Sequence, residues 1–187
     1  MASAVLFQGG PGRIGIFPNG TTRVESFLAV GARRFTQQGI TVAIVDAPSD
    51  RRTLDDFRHT AEHAQDIAAV IAFLREQSSL PVWAIGTSNG SLSAATAGAI
   101  LQERGLDGLV LTSSTTRKPV AAAHPVTDAA LDRINVPTLF VHHRDDQCVV
   151  TPYSAIPGVM ASMLNAKKID LITVEGGFLG NNACHGG

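Results

Sequence analysis

The chain of 187 residues carries 15 Lys and Arg against 16 Asp and Glu, a formal net charge of -1 with neutral histidines. Hydrophobic residues make up 44% and charged residues 17%, a globular composition that excludes a disordered chain and fits one domain with a sizeable core. Acids and bases alternate without blocks, and no apolar run approaches membrane-span length, which argues against nucleic acid and membrane as partners.

Short β-branched runs alternate with longer amphipathic stretches. SAVLFQ (3–8) reads as a buried strand, and RVESFLAVGARRFTQQ (23–38) as a helix closed by Gly39. ITVAIVDA (40–47) is a continuous Ile/Val run, the pattern of a strand buried on both faces. The stretch from Thr53 to Gln77 has acids early and Leu, Ile, Val and Phe at helical spacing. A strand at 81–86, a small-residue helix at 91–105 and a strand at 108–114 follow. A short helix (127–134), a strand (137–143), a helix (153–166) and a last strand (168–176) complete the chain. This alternation predicts a single α/β domain over 1–187. Its mostly parallel sheet of about six strands carries helices on both faces, with functional residues in loops after the strand ends.

Two glycine motifs compete for the chemistry. GPGRIG places Gly10, Gly12 and Gly15 after the first strand, and Asp46 ends the second. That string matches a dinucleotide fingerprint and raises an oxidoreductase as an alternative. The match is weak, because IFPNGTT intervenes and delays the helix whose N-terminal amides would cradle a pyrophosphate. The second motif, GTSNG, runs from Gly86 to Gly90 between the strand PVWAI and the helix SLSAATAGAI. A serine on such a strand-to-helix turn takes a strained backbone, and small neighbours two positions either side let the chain pass close to itself. Ser88 is thereby a candidate nucleophile rather than a helix cap.

A nucleophilic serine needs a base and a group that orients the base. Asp145 and Asp146 follow the strand PTLFVHH, and His185 follows the last strand. The order Ser88, Asp146, His185 is that of α/β hydrolases. The sequence resembles the α/β-hydrolase superfamily over essentially its whole length, through FQGGPG, GTSNG, LFVHHRDDQCVVTP and CHGG. The resemblance implies a lidless serine esterase with Ser88 as nucleophile, Asp146 as acid and His185 as base. Asp145 is then a surface charge. QGGPG looks like the family's oxyanion loop with Gln8 in place of its usual His, and implies the amides of Gly10 and Asn89 as oxyanion donors. The implied substrate is a small carboxylic ester, thioester or lactone, and no cofactor is needed. A catalytically inactive hydrolase-like binding protein is the non-enzyme alternative.

The family often carries further strands before the first and a helix after the catalytic histidine, so the chain reads as a reduced core or a fragment. The short loop between 114 and 127, where larger members insert a cap, implies an open, shallow site. If Asp146 holds the His185 ring, Cys148 and Cys184 come together, and a bridge between them would tie the base loop to the acid loop. The chain as written has no secretory signal, which favours free thiols in a reducing, cytoplasmic setting. A bridge would favour an extracytoplasmic origin with a removed leader.

The remaining histidines are expected to be structural. His59 and His63, four apart on the long helix, read as an exposed face rather than metal ligands. His142 and His143 are expected to shape the acid loop, and His124 with Arg117 to line the entrance.

Overall fold

The structure is a computed structural model and describes residues 1–102, 105–118, 120–121, 123–177 and 184. Six strands form one sheet: β1 (Ser3–Phe7), β2 (Thr41–Val45), β3 (Val82–Thr87), β4 (Gly108–Thr112), β5 (Thr138–His143) and β6 (Ile169–Val174). Their order is β2-β1-β3-β4-β5-β6, and every pairing is parallel. Four α-helices connect them: α1 (Phe27–Gln37), α2 (Ala61–Gln77), α3 (Gly90–Leu101) and α4 (Ile156–Ala161).

Handedness explains the layers. From β1 the chain moves outward through α1 to β2, then returns through α2 past β1 to β3. Right-handed crossovers in opposite directions must lie on opposite faces. The core divides accordingly. Leu28 of α1 packs with Ala4, Leu6 and Ile85 on one face. On the other, α2, α3 and α4 bury Ile67, Ile71, Leu92, Ile156 and Val159 against Val5, Phe7, Leu109 and Phe140. The reversal of direction at β1 and β3 opens a crevice at their C-terminal ends, where α/β sheets place their ligands.

The expected strands and helices all occur, with four differences, one being that the helix expected over 153–166 is a 3-10 turn, Tyr153–Ala155, followed by the six-residue α4. The segment 40–47 was expected to be buried on both faces, but β2 is an edge strand and only partly buried. Its unbroken apolar run reflects packing on both faces, Val42 and Ile44 against the Leu28 cluster under α1 and Ala43 and Val45 against the opposite core. The helix expected from Thr53 begins at Ala61, because Thr60 caps it by accepting from the amide of His63 at 3.2 Å. Residues 53–60 instead turn beneath the glycine loop, with the Leu54 amide 2.8 Å from the Pro11 carbonyl. The helix expected over 127–134 is two 3-10 turns, Val126–Asp128 and Leu131–Arg133.

The face that carries α1 is otherwise bare among the described residues. On β6, Ile172 is 52% exposed and Val174 43% exposed. The expectation of helices on both faces therefore holds unevenly, with one helix against three.

Candidate active site

The turn from β3 into α3 is built by glycines at its two ends. A β carbon on Gly86 would come within 2.7 Å of the Ser91 α carbon, and one on Gly90 within 2.7 Å of the Gln8 carbonyl oxygen. With both positions bare, the turn closes tightly against the end of β1. Ser88 between them holds φ at +51°, a left-handed conformation that costs a non-glycine residue of order 1 kcal/mol or more. The strain is held by the amide of Ser88 donating to the Thr112 carbonyl at 3.0 Å, while the Ser91 hydroxyl donates to the Ser88 carbonyl. Ser88 thus sits on the strained elbow that the motif predicts, and the cap position of α3 falls to Asn89 instead.

The glycine loop after β1 lies directly against this serine. A β carbon on Gly9 would stand 3.0 Å from Ser88 Cβ and 3.6 Å from Ser88 Oγ. Gly10 has φ +57°, and its carbonyl accepts from the side-chain amide of Asn89 at 3.2 Å. The Asn89 Oδ1 in turn accepts from the buried Thr115 hydroxyl at 2.9 Å, and that hydroxyl lies 3.4 Å from Ser88 Oγ. Among the described residues, the backbone amides of Gly10 and Asn89 have no hydrogen-bond acceptor. Two free donors beside a serine hydroxyl are what an oxyanion requires. The Asn89 side chain and Thr115 were not singled out in the sequence. Only the position of Thr115 just past β4 hinted at it, since the ends of parallel strands collect functional groups.

Asp146 follows β5 and is held ready. Its Oδ1 accepts from the Cys148 amide at 2.9 Å, and its Oδ2 accepts from the Thr151 hydroxyl at 2.9 Å. Asp145 is exposed, as a surface charge should be. His142 is buried, and its Nε2–H donates to the Thr151 carbonyl at 2.7 Å, with Asp146 Oδ2 3.4 Å away. His143 has both ring nitrogens engaged: Nδ1 accepts from the Asp145 amide at 3.0 Å and Nε2 donates to the Gly176 carbonyl at 2.7 Å. These two histidines brace the acid loop; the buried Nδ1 of His142 has no hydrogen-bond partner among the described residues, and both rings line the same cavity as Ser88.

His185 lies outside the described residues. Its neighbour Cys184 is described, and it forms a disulfide pair with Cys148, their α carbons 4.6 Å apart. Ser88, Asp146, Cys148 and Cys184 all line one cavity of about 560 Å³, together with Gly9, Gly10 and Phe27. The structure therefore brings the serine, the acid, the glycine loop and the attachment point of the histidine segment around a single cleft.

Three other expectations are corrected. Asp46 cannot serve as a ribose acid, because its carboxylate is taken by the glycine loop itself. Oδ1 accepts from the amides of Ile14 and Ala47, each at 2.8 Å, and Oδ2 from Gly15 at 2.8 Å and Ile16 at 3.0 Å. No helix opens in that loop, so Gly10, Gly12 and Gly15 do not form a pyrophosphate cradle. His59 and His63 are not an exposed helical pair. His59 precedes α2 and stacks on His124 with ring centres 3.9 Å apart, while His63 is buried with Nε2 2.9 Å from the Ser93 hydroxyl. His124 pairs with Asp128 at 2.6 Å, and neither it nor Arg117 is among the residues lining the cleft. Among the described residues no three His, Cys, Asp or Glu side chains group as a metal site, and no helix is long and apolar enough to cross a membrane.

Burial shifts two basic groups behind the site. It lowers the Arg58 guanidinium to about 10, opposed by the nearby Asp55. It lowers His63 to about 4, helped by the charges of Arg58 and Arg51.

No protein-family model matches the sequence, and no curated protein matches it either. Solved structures do match. Est1E from Butyrivibrio proteoclasticus, with ferulic acid bound, superposes with a TM-score of 0.61 at 16% identity, over 94% of this chain and 80% of that one. The monoacylglycerol lipase of Paleococcus ferrophilus gives 0.58 at 14% identity, over 93% and 84%. RedJ, the thioesterase of the prodiginine pathway in Streptomyces coelicolor, gives 0.57 at 14%, over 94% and 77%. The fold that this chain shares with them is that of the α/β hydrolases.

Proposed function

We propose that this chain of α/β-hydrolase fold is a serine hydrolase of small carboxylic esters, a class that extends to thioesters and lactones. The observation that carries the reading is the strained Ser88 at φ +51°, set beside the unpaired amides of Gly10 and Asn89. Strain of this kind persists where the surrounding structure enforces it, and it clusters at reacting groups. An esterase, a monoacylglycerol lipase and a thioesterase among the structural neighbours support the same chemistry.

In this reading Ser88 Oγ attacks the acyl carbonyl while its proton passes to the imidazole of His185. The carbonyl oxygen takes the negative charge and is held by the Gly10 and Asn89 amides. The bond to the leaving alcohol or thiol then breaks as the imidazolium returns its proton to that group. Water attacks the acyl-Ser88 by the same route and releases the acid. Asp146, already fixed by Cys148 and Thr151, orients the imidazole and stabilises its charged form.

The test is turnover of p-nitrophenyl acetate and butyrate by the wild type, Ser88→Ala and His185→Ala. Either substitution should lower kcat by roughly 10⁴-fold or more. An inactive wild type would sink the reading, and full turnover by His185→Ala would remove that histidine from it.

A further inference from the structure

Arg58 is the largest of the fully buried side chains, and nothing in the proposed reaction uses it. A buried cation is costly unless paired, yet among the described residues no carboxylate forms a salt bridge with it. Its donors go to neutral oxygens instead. Nη2 lies 3.0 Å from the carbonyl of Gln8 and 3.2 Å from that of Gly10. Nη1 lies 2.8 Å from the Ser93 hydroxyl, which also meets His63 Nε2 at 2.9 Å. The neutral His63 ring and the α3 hydroxyl thus fix the guanidinium from behind, while its front edge faces the glycine loop.

The loop's peptide planes show what this does. A trans peptide points its C=O and N–H in opposite directions. Arg58 grips the carbonyl of the Gln8–Gly9 peptide and that of the Gly10–Pro11 peptide. The peptide between them is held by the Gly12 amide donating to the Gly9 carbonyl at 3.3 Å. The free N–H of Gly10 belongs to that middle peptide. It is therefore aimed by a plane whose two neighbours are both anchored to one buried guanidinium. Gly12 also packs on the same group, since a β carbon there would collide with Arg58 Nη2 and come within 2.7 Å of Leu54 Cδ1.

We infer that Arg58 is a positioning residue for the reaction at Ser88: its guanidinium, braced by Ser93 and His63, holds the 8–12 loop so that the Gly10 amide meets the oxyanion. The inference rests on the proposed hydrolase function for its catalytic consequence, and on geometry alone for the loop. A planar fork is needed to reach two carbonyls and a hydroxyl at once, which an ammonium does not supply. Because the Gly10 amide engages only charge that develops in the transition state, misaiming it lowers kcat and leaves KM nearly unchanged.

The experiment compares the wild-type chain with Arg58→Met and Arg58→Lys. It measures kcat and KM on p-nitrophenyl acetate per titrated Ser88, together with amide hydrogen exchange of residues 8–16. Arg58→Met should lower kcat by about 100-fold, the loss typical of one oxyanion donor, with KM within about threefold. Arg58→Lys should recover part of that loss. Exchange in 8–16 should rise selectively, while β4 and β5 keep wild-type protection. If Arg58→Met does not fold, Arg58→Lys alone decides. Wild-type kcat in a folded variant, or a loss that lies in KM, overturns the inference while leaving the hydrolase reading intact. An inactive wild type removes the hydrolase reading. Exchange then judges Arg58: selective loosening of 8–16 upholds its hold on the loop, and unchanged exchange overturns it.

Discussion

The carboxylate of Asp46 lies 2.8 Å from the amide nitrogen of Gly15, and the same side chain accepts from Ile14, Ile16 and Ala47. An acid at the end of β2 therefore serves as the anchor for the loop that leaves β1. Asp46→Ala should leave four amides without their acceptor. Hydrogen bonds to a charged group contribute about 2 kcal/mol, and water replaces part of that in this partly buried place. A loss of about 2 kcal/mol in urea unfolding is expected, with a smaller loss for Asp46→Asn. Titration with NADH should show no saturable fluorescence change in the wild type, since the ribose-binding acid is already engaged.

Asn89 acts through both its backbone and its side chain. Its Nδ2 spans to the Gly10 carbonyl and its Oδ1 to the Thr115 hydroxyl. Asn89→Ala keeps the backbone donor but releases the clasp between elbow and glycine loop, and leaves the buried Thr115 hydroxyl without that partner. We expect kcat on p-nitrophenyl acetate to fall by about tenfold with little change in KM, since a misplaced donor costs less than a missing one. Wild-type kcat in this variant would show that the clasp does not matter to turnover.

Much of this architecture was legible because it repeats a local rule. The parallel strands are short apolar runs separated by helical or turn-rich stretches, and Ser88 betrays its strain through Gly86 and Gly90. Contacts across distant segments were not legible. Asp46 ends a strand where a nucleotide-binding acid would also stand, and only the fold shows that the glycine loop returns to occupy it. His59 and His63 look like polar residues on one exposed helix face, because helical spacing does not show that the helix starts only at Ala61, that 53–60 turn beneath the glycine loop, or that His63 faces Ser93. Likewise an unbroken apolar run at 41–45 does not reveal an edge strand, since β2 packs partly on both faces, Val42 and Ile44 under α1 and Ala43 and Val45 against the opposite core.

The pair Cys148–Cys184 fastens the segment next to His185 to the loop that holds Asp146. Closing the intervening 36-residue separation restricts the unfolded chain by about 4 kcal/mol in the loop-entropy model. Reduction, or Cys148→Ser, should lower the unfolding midpoint. On the proposed mechanism it should also lower kcat, because Cys184, next to His185 in the chain, would no longer be fastened to the Asp146 loop. Ser88 should still react with a fluorophosphonate probe, more slowly than in the oxidised protein. Equal kcat with and without reductant would separate the bridge from the activity.

His63 makes stability depend on pH. Burial, with Arg58 and Arg51 nearby, lowers its folded value to about 4 from the ordinary 6.5. Between these values the unfolded chain binds the proton and the folded chain does not, so falling pH favours unfolding. The stabilisation is complete above pH 6.5, is lost progressively as pH falls to about 4, and changes no further below that. A shift of this size corresponds to about 3 kcal/mol across the window. His63→Gln keeps a polar group toward Ser93 and cannot take up the proton. Measured from pH 7 to pH 4, the urea midpoint of the wild type should fall relative to that of the variant, because only the wild type suffers this penalty. Parallel curves would mean that His63 is not the titrating group. The variant also reports on the brace behind Arg58, since a glutamine that still bonds Ser93 should preserve kcat at pH 7 within a few-fold.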